Sequence, residues 1–240
     1  MPSLLAILAQ AALAVAPLPA AGCDTHVQTD MDSAHYAQAQ AEQDLAGYRL
    51  AREIVDEHDG APRFAGLWVR DGGPQRVSRG GLGVDAFYFA SLDMVGKEYR
   101  LVDLTVSPVG GTPYLSALWT KGRDTQQRVD YLLSEGELRK GLSQNGRRTL
   151  AIAPYRIGGK TRFAALFDVA NGLERNARTG LDHRALVKAD AGMRRRGYVI
   201  DRVSPQPGRP GRFAAVWRPA AGLSACERAL RQFEGGMSPR

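Results

Sequence analysis

The sequence predicts an α+β fold of four repeats, each about 50 residues long, that combine a helix with an antiparallel β-meander and share a continuous core. Three observations predict it. An apolar strand motif recurs at spacings of 51, 48 and 50 residues, and its last residues are Trp68, Trp119, Phe167 and Trp217. About 20 residues upstream of each motif lies a second element, which opens with Tyr48, Tyr99, Arg148 and Tyr198. A unit of this size is too small to hold its own core, so neighbouring units must share one.

Residues 1–22 form a segment separate from the repeats. They contain no charged side chain, and an apolar run broken by Pro17 and Pro19 ends in small residues before Cys23. This order is typical of a signal peptide, and the run is short for a bilayer span, which needs about 20 apolar residues. We therefore predict an exported protein, periplasmic or extracellular.

The two cysteines, Cys23 and Cys226, lie at opposite ends of the chain that would follow cleavage. A disulfide between them would close a loop of about 200 residues and contribute roughly 5 kcal/mol in the chain-entropy model. Alternatively, Ala20-Ala21-Gly22-Cys23 resembles a lipoprotein cleavage box, which would make Cys23 a lipidated N-terminus. That alternative would leave Cys226 unpaired in an oxidising compartment, so we favour the disulfide slightly.

Helical segments alternate with the strands. Ser134 and Glu137 have the spacing of a capping box, and Asp182 is a typical N-cap. Helices are predicted over 32–46 and 84–95, from Ser134, from Asp182, and over 223–234 at the C-terminus.

In each unit the second element opens a strand, a Gly- and Pro-rich turn follows, and the aromatic motif forms the return strand. A third element follows the return strand and is predicted as a short edge strand; it contains Gln75-Arg76-Val77, Gln127-Arg128-Val129 and Glu174-Arg175-Asn176. The repeat domain spans residues 32–220, and its predicted units are 32–80, 84–131, 134–178 and 182–218.

One family pattern matches these units. Gly47-Tyr48-Arg49-Leu50 followed by Arg63-Phe64-Ala65-Gly66-Leu67-Trp68 resembles the bacterial tandem repeat domain found N-terminal to serine β-lactamase-like hydrolases, including polyglycine hydrolases. The third unit departs from the pattern, with Arg148 at the Tyr position and Phe167 at the Trp position. The resemblance implies that chemistry belongs to a separate hydrolase domain and that the repeats bind a substrate or surface.

Signals for catalysis are weak. No serine is followed three residues later by lysine, and no Gly-x-Ser-x-Gly elbow occurs. The four histidines are scattered over different elements and form no pair at metal-ligand spacing. We predict a non-enzymatic protein without cofactor or metal site.

The charge distribution favours an anionic partner. The chain is basic, with a net charge of +7, yet residues 1–60 carry nine acidic and two basic groups. Arg76, Arg128 and Arg175 recur once per unit and could form a row that meets an anionic ligand. The more ordinary interpretation, which we favour, is that each of them supports its own edge strand through a local hydrogen bond or ion pair.

The sequence therefore predicts an exported, non-catalytic repeat module that binds a polymer or protein at the cell envelope or outside the cell. The expected partners are an anionic envelope component, a polysaccharide or a protein, with no nucleic acid, and with the membrane only if Cys23 is lipidated. Two alternatives remain: a hydrolase with a site between repeats, and an accessory or inhibitor protein of a separate serine hydrolase.

Overall fold

A computed structural model describes residues 24–58, 61–122, 126–144, 147–169 and 176–221, together with Cys226. In these ranges the chain forms four three-stranded antiparallel sheets and four helices. This confirms an α+β fold of four repeats. The predicted signal peptide and, apart from Cys226, the predicted C-terminal helix lie outside the described residues.

The first two units have the same order of elements. The first contains β1 (Asp24–Met31), α1 (Ser33–Leu45), β2 (Arg49–His58) and β3 (Ala61–Arg70). The second contains β4 (Arg76–Leu82), α2 (Val84–Gly96), β5 (Tyr99–Val109) and β6 (Thr112–Lys121).

The last two units repeat that order. The third contains β7 (Arg128–Leu133), α3 (Glu135–Leu142), β8 (Arg147–Ile157) and β9 (Lys160–Val169). The fourth contains β10 (Ala177–Leu181), α4 (His183–Arg195), β11 (Tyr198–Pro205) and β12 (Phe213–Pro219). None of the described helices is long and apolar enough to cross a membrane.

The aromatic strand lies at the centre of each sheet, and the short strand at one edge opens a unit rather than closing one. β4 pairs with β6, and β7 pairs with β9, so the Gln-Arg-Val elements belong to the following unit. The predicted units grouped these elements with the preceding sheet. In the first sheet, the edge of β3 that the prediction gave to β4 is occupied by β1, a strand that was not predicted from the sequence.

The helix starts follow the predicted capping signals. The Asp182 carboxylate accepts a hydrogen bond from the Ala185 backbone N–H at 2.8 Å. Ser134 and Glu137 form the reciprocal capping box, which satisfies two backbone donors at the start of α3. Asp32 caps α1 in the same way through the His35 N–H.

The repeated aromatic residues form the core. Trp68, Trp119 and Trp217 are at most 1% exposed, as is Phe167 in the third unit. The buried residues form four clusters, and three of these draw on two neighbouring units; Leu118 of the second unit, for example, packs in the cluster of the first. One core continuous through all four units stays a prediction.

The junction between the first two units contains a buried carboxylate. Glu53 is 5% exposed, and its Oε2 accepts hydrogen bonds from the Tyr36 hydroxyl at 2.6 Å and from the Ser78 hydroxyl. Its Oε1 has no hydrogen-bond partner among the described residues. The equivalent positions of the other units are apolar: Leu104, Ile152 and Val203. Desolvation therefore raises the pKa of Glu53 despite its hydrogen bonds.

We expect Glu53→Gln to remove a pH dependence of stability. The raised native pKa means that stability falls as pH rises from about 4.3, the ordinary pKa of glutamate, through the native pKa. Glutamine keeps an acceptor for Tyr36 and Ser78 but carries no charge. The variant should be more stable than the parent at pH 8, with a difference that shrinks towards pH 4.5, as measured by urea unfolding at several pH values.

Glu135→Gln is the matched control of opposite sign. Partial burial raises the pKa of Glu135, but ion pairs with Arg209 and Arg139 outweigh it and lower the pKa on balance. That variant should therefore lose stability at pH 8 relative to pH 4. A pH profile of Glu53→Gln parallel to that of the parent would contradict the assignment of a buried, ionisable Glu53.

Candidate functional site

A cavity of about 540 Å³ lies between the four units. In each unit the strand just before the aromatic strand (β2, β5, β8 or β11) contains a β-bulge, which is one extra residue relative to the aromatic strand. All four bulge residues line the cavity: Ala51, Val102, Leu150 and Asp201. A bulge bends its strand and redirects the adjacent side chains. The repeated bulge thus directs equivalent positions of four units towards one space.

Arginine dominates the lining of this cavity. The charged residues that line it are seven arginines and three aspartates: Arg49, Arg52, Arg76, Arg100, Arg148, Arg202, Arg218, Asp71, Asp103 and Asp201. The cavity therefore has an excess of positive charge, drawn from all four units.

Some of these arginines are held by carboxylates within the fold. Arg49 binds Asp71 through two parallel hydrogen bonds, Nε to Oδ1 at 2.7 Å and Nη2 to Oδ2 at 2.6 Å. Both side chains are at most 6% exposed, so this pair is part of the wall. Planar, two-point pairing of this kind fixes the guanidinium orientation.

Two arginines connect the fourth unit to the first two across the cavity. Arg202 donates to the Asp103 carboxylate and, at 3.1 Å, to the Leu104 carbonyl of the second unit. Arg52 of the first unit donates to the Asp201 carbonyl of the fourth at 3.1 Å. The first and last units are therefore in direct contact beside the cavity.

Arg100 differs from its equivalent in the first unit. Among the described residues it has neither a hydrogen bond nor an ion pair, because Gly122 stands where the first unit has Asp71. In the third unit, Arg148 binds the buried Asp168 at 2.7 Å, but its Nε has no hydrogen-bond partner within the described ranges. An anion in the cavity would therefore find an uncompensated guanidinium at Arg100.

The structure does not place Arg76 and Arg128 of the predicted arginine row at equivalent positions. Arg76 lines the cavity and donates to the Leu50 and Ala51 carbonyls at 3.1 and 3.2 Å. Arg128 lies one register position away from the equivalent of Arg76, is exposed, and pairs with Asp130 at 2.6 Å. Arg175 lies outside the described residues.

Strand pairing makes Gln127 the equivalent of Arg76. Gln127 bonds to the backbone N–H and C=O of Leu101, and Asn176, one register position further along in its own unit, bonds to those of Thr149. Each side chain thus joins the start of one unit to the residue before the bulge of the preceding unit. The alternative prediction was that Arg76 supports its own edge strand through a local hydrogen bond. Arg76 does make hydrogen bonds to the backbone, but they join its strand to the first unit and not to its own.

The sequence contained a signal for the cavity that went unused. Arg49 and Arg100 occupy the second position of the Tyr-Arg-Leu element. Strand register places Arg148 at the same position, opposite Asp168, and not at the position of the tyrosines as the sequence predicted. The three arginines are equivalent and all line the cavity.

Potential metal ligands are dispersed in the described part of the chain. No three His, Cys, Asp or Glu residues in the described ranges are grouped so that they could hold a metal ion. Cys226 is buried and is not a free thiol, while Cys23 lies outside the described residues, so their pairing stays a prediction.

Comparison with protein families identifies the repeat. The family described as polyglycine hydrolase-like, structural repeat matches residues 24–71, 73–122, 140–170 and 172–220. The chain belongs to this family, as the resemblance implied. The first two matched segments begin at the edge strands β1 and β4, in agreement with the observed sheets. No curated protein matches the chain.

Proposed function

We propose that this chain is an exported, non-catalytic repeat module that binds an anionic group of a polymer or protein at the cell envelope or outside the cell. The observation that supports it best is the arginine-lined cavity between the four units. The repeat family is a structural one, which favours binding over catalysis.

Carboxylates and phosphates are the groups that such a cavity suits. Guanidinium groups bind both through two parallel hydrogen bonds, and a partly enclosed site strengthens each of them relative to water. Asp71 and Asp168 already neutralise Arg49 and Arg148, so an incoming anion would add most beside Arg100. A neutral ligand would leave the excess charge of the cavity unopposed.

The proposal of export depends on the signal-peptide pattern of residues 1–22. The two cysteines allow two forms of the exported chain. Pairing of Cys23 with Cys226 is our favoured form, and lipidation of Cys23 is the alternative. The mass of the chain isolated from its host separates them, because the disulfide removes two hydrogens whereas a lipid anchor adds a diacylglycerol.

We expect Arg100→Ala to weaken binding of anions by about tenfold or more, because one charge-assisted hydrogen-bonding group is lost. The probes are citrate and inorganic phosphate in calorimetry, and immobilised polyglutamate in a retention assay at low salt. Neutral dextran should not be retained.

The matched control is Arg184→Ala, which removes the same charge from an exposed position on α4. It should change affinity less than twofold. Equal losses in the two variants would show that binding depends on net charge alone, and failure of the parent to bind any anionic probe would remove the proposal.

A further inference from the structure

Helix α2 is apolar on two faces. Phe87, Ala90 and Met94 point into the core and are buried. A second set faces solvent: Tyr88 is 59% exposed, Phe89 67%, Leu92 52% and Val95 44%. Tyr88, Leu92 and Val95 follow the i, i+4, i+7 spacing of one helical stripe, with Phe89 beside them. We call these four residues the α2 face.

The other helices lack such a face in the described residues. Leu45 at the end of α1 and Val187 on α4 are their only large apolar side chains with high exposure. Single exposed apolar residues are ordinary on protein surfaces, whereas a contiguous set of four marks an interaction site. Since the four units have the same architecture, the α2 face is a property of this sequence and not of the repeat.

We propose that the α2 face binds a second copy of this chain, with the two α2 helices packed antiparallel about a twofold axis near Leu92. In this arrangement Leu92 meets its own equivalent, Phe89 lies against Val95, and Tyr88 lies over Gly96. A Cβ at Gly96 would meet no atom of its own chain within 4 Å, so the surface there is open to a large side chain. An isologous contact of this kind closes after two copies.

The charges around the α2 face fit this orientation. Asp85 is exposed at the start of α2, and Lys97, which pairs with Asp93 of its own helix at 2.9 Å, is exposed just past its end. Antiparallel packing brings the start of one helix near the end of the other, so Asp85 of each copy approaches Lys97 of its partner. Parallel packing would instead place like charges together. This inference is independent of the arginine-lined cavity and goes beyond anion binding.

The test is sedimentation equilibrium of the full chain and of Leu92→Lys. We expect the parent to approach the mass of two chains with a dissociation constant on the order of 10–100 µM, because the contact is small. Leu92→Lys places two ammonium groups at the twofold axis and should weaken association at least tenfold. Its urea midpoint should match that of the parent, since Leu92 is exposed.

Val187→Lys is the matched control, with the same kind of change at an exposed apolar position of α4. It should leave association unchanged. A parent chain that stays monomeric at several hundred micromolar would overturn the proposal. So would association that Leu92→Lys does not affect, which is the result expected if residues 1–22 or another surface joined the copies. If Leu92→Lys failed to fold, Tyr88→Ser would be tested in its place, with the same outcomes.

Discussion

Replacing Asn176 by alanine is expected to lower the free energy of unfolding by about 3–5 kcal/mol. Asn176 is 4% exposed, and its side chain makes three hydrogen bonds to backbone groups. Its Nδ2 donates to the Thr149 carbonyl at 2.9 Å and to the Trp217 carbonyl at 2.6 Å, and its Oδ1 accepts from the Thr149 N–H at 3.1 Å. Alanine would remove the hydrogen bonds that Asn176 makes to three buried backbone groups. Each such group costs about 1–3 kcal/mol, with part of the sum recovered by relaxation.

Urea unfolding followed by circular dichroism measures this loss, and two further variants make it specific. Asn176→Asp keeps an acceptor for Thr149 but places a carboxylate beside two carbonyl oxygens, so we expect a loss at least as large. Gln144→Ala removes an exposed amide with no hydrogen bond in the described residues and should change stability by less than about 0.5 kcal/mol. A loss below about 1 kcal/mol for Asn176→Ala would show that Asn176 does not hold the third and fourth units together.

The repeat and its helices could be predicted because their signals are local. Caps such as Asp182 and Ser134 depend on residues three positions away, and the aromatic motif marks a strand wherever it recurs. The edge strands could not be assigned in the same way. β4 is joined to β6, whose first residue lies 30 positions after the last residue of β4, and nothing in β4 itself shows which neighbouring sheet it completes.

The same limit explains the missed strand β1. Its residues are mostly polar, and Met31 is its one buried side chain, so the alternation that predicts a strand is weak. A recurring apolar residue could have indicated this strand and its equivalents. Met31, Leu82, Leu133 and Leu181 each precede a helix cap and pair with the first buried residue of the aromatic motif or its equivalent.

The candidate site was predicted only in part because residue identity and strand pairing align the units differently. Matching Gln-Arg-Val by identity aligned Arg76 with Arg128, whereas strand pairing aligns Arg76 with Gln127. The cavity itself depends on the approach of four units, which no single unit encodes. Arg100 differs from Arg49 because Gly122 stands at the position of Asp71. An average over the repeats does not show this difference.

The first unit shows most sharply how the repeat is adapted locally. We expect Gly66→Ala to destabilise the protein by about 3 kcal/mol, although alanine occupies the equivalent positions 117, 165 and 215. A Cβ at Gly66 would lie 2.1 Å from Cη2 of Trp68, so the indole ring covers the backbone at this glycine. Trp68 is fully buried and its Nε1 donates to Gln40 Oε1 at 3.3 Å, which leaves the ring little room to move. Inserting a methyl group into a well-packed core costs about 1–3 kcal/mol, and the cost is larger when an aromatic side chain loses its own packing as a result.

A second variant tests whether the Trp68 ring causes the loss. Alanine accompanies a tryptophan at Ala117 and Ala215 and a phenylalanine at Ala165, so the overlap at position 66 depends on how the Trp68 ring lies over the backbone. The smaller ring of Trp68→Phe in the Gly66→Ala background should therefore recover at least about 1 kcal/mol relative to the sum of the two single changes. Gly136→Ala is the control for the glycine change alone. A Cβ at Gly136 would meet nothing within 4 Å, and it lies in α3, so alanine there should add about 0.5–1 kcal/mol of stability. The two glycine variants thus carry the same added methyl group with opposite expected signs in urea unfolding. Equal signs, or additive effects in the double variant, would show that the Trp68 ring does not set the requirement for glycine at position 66.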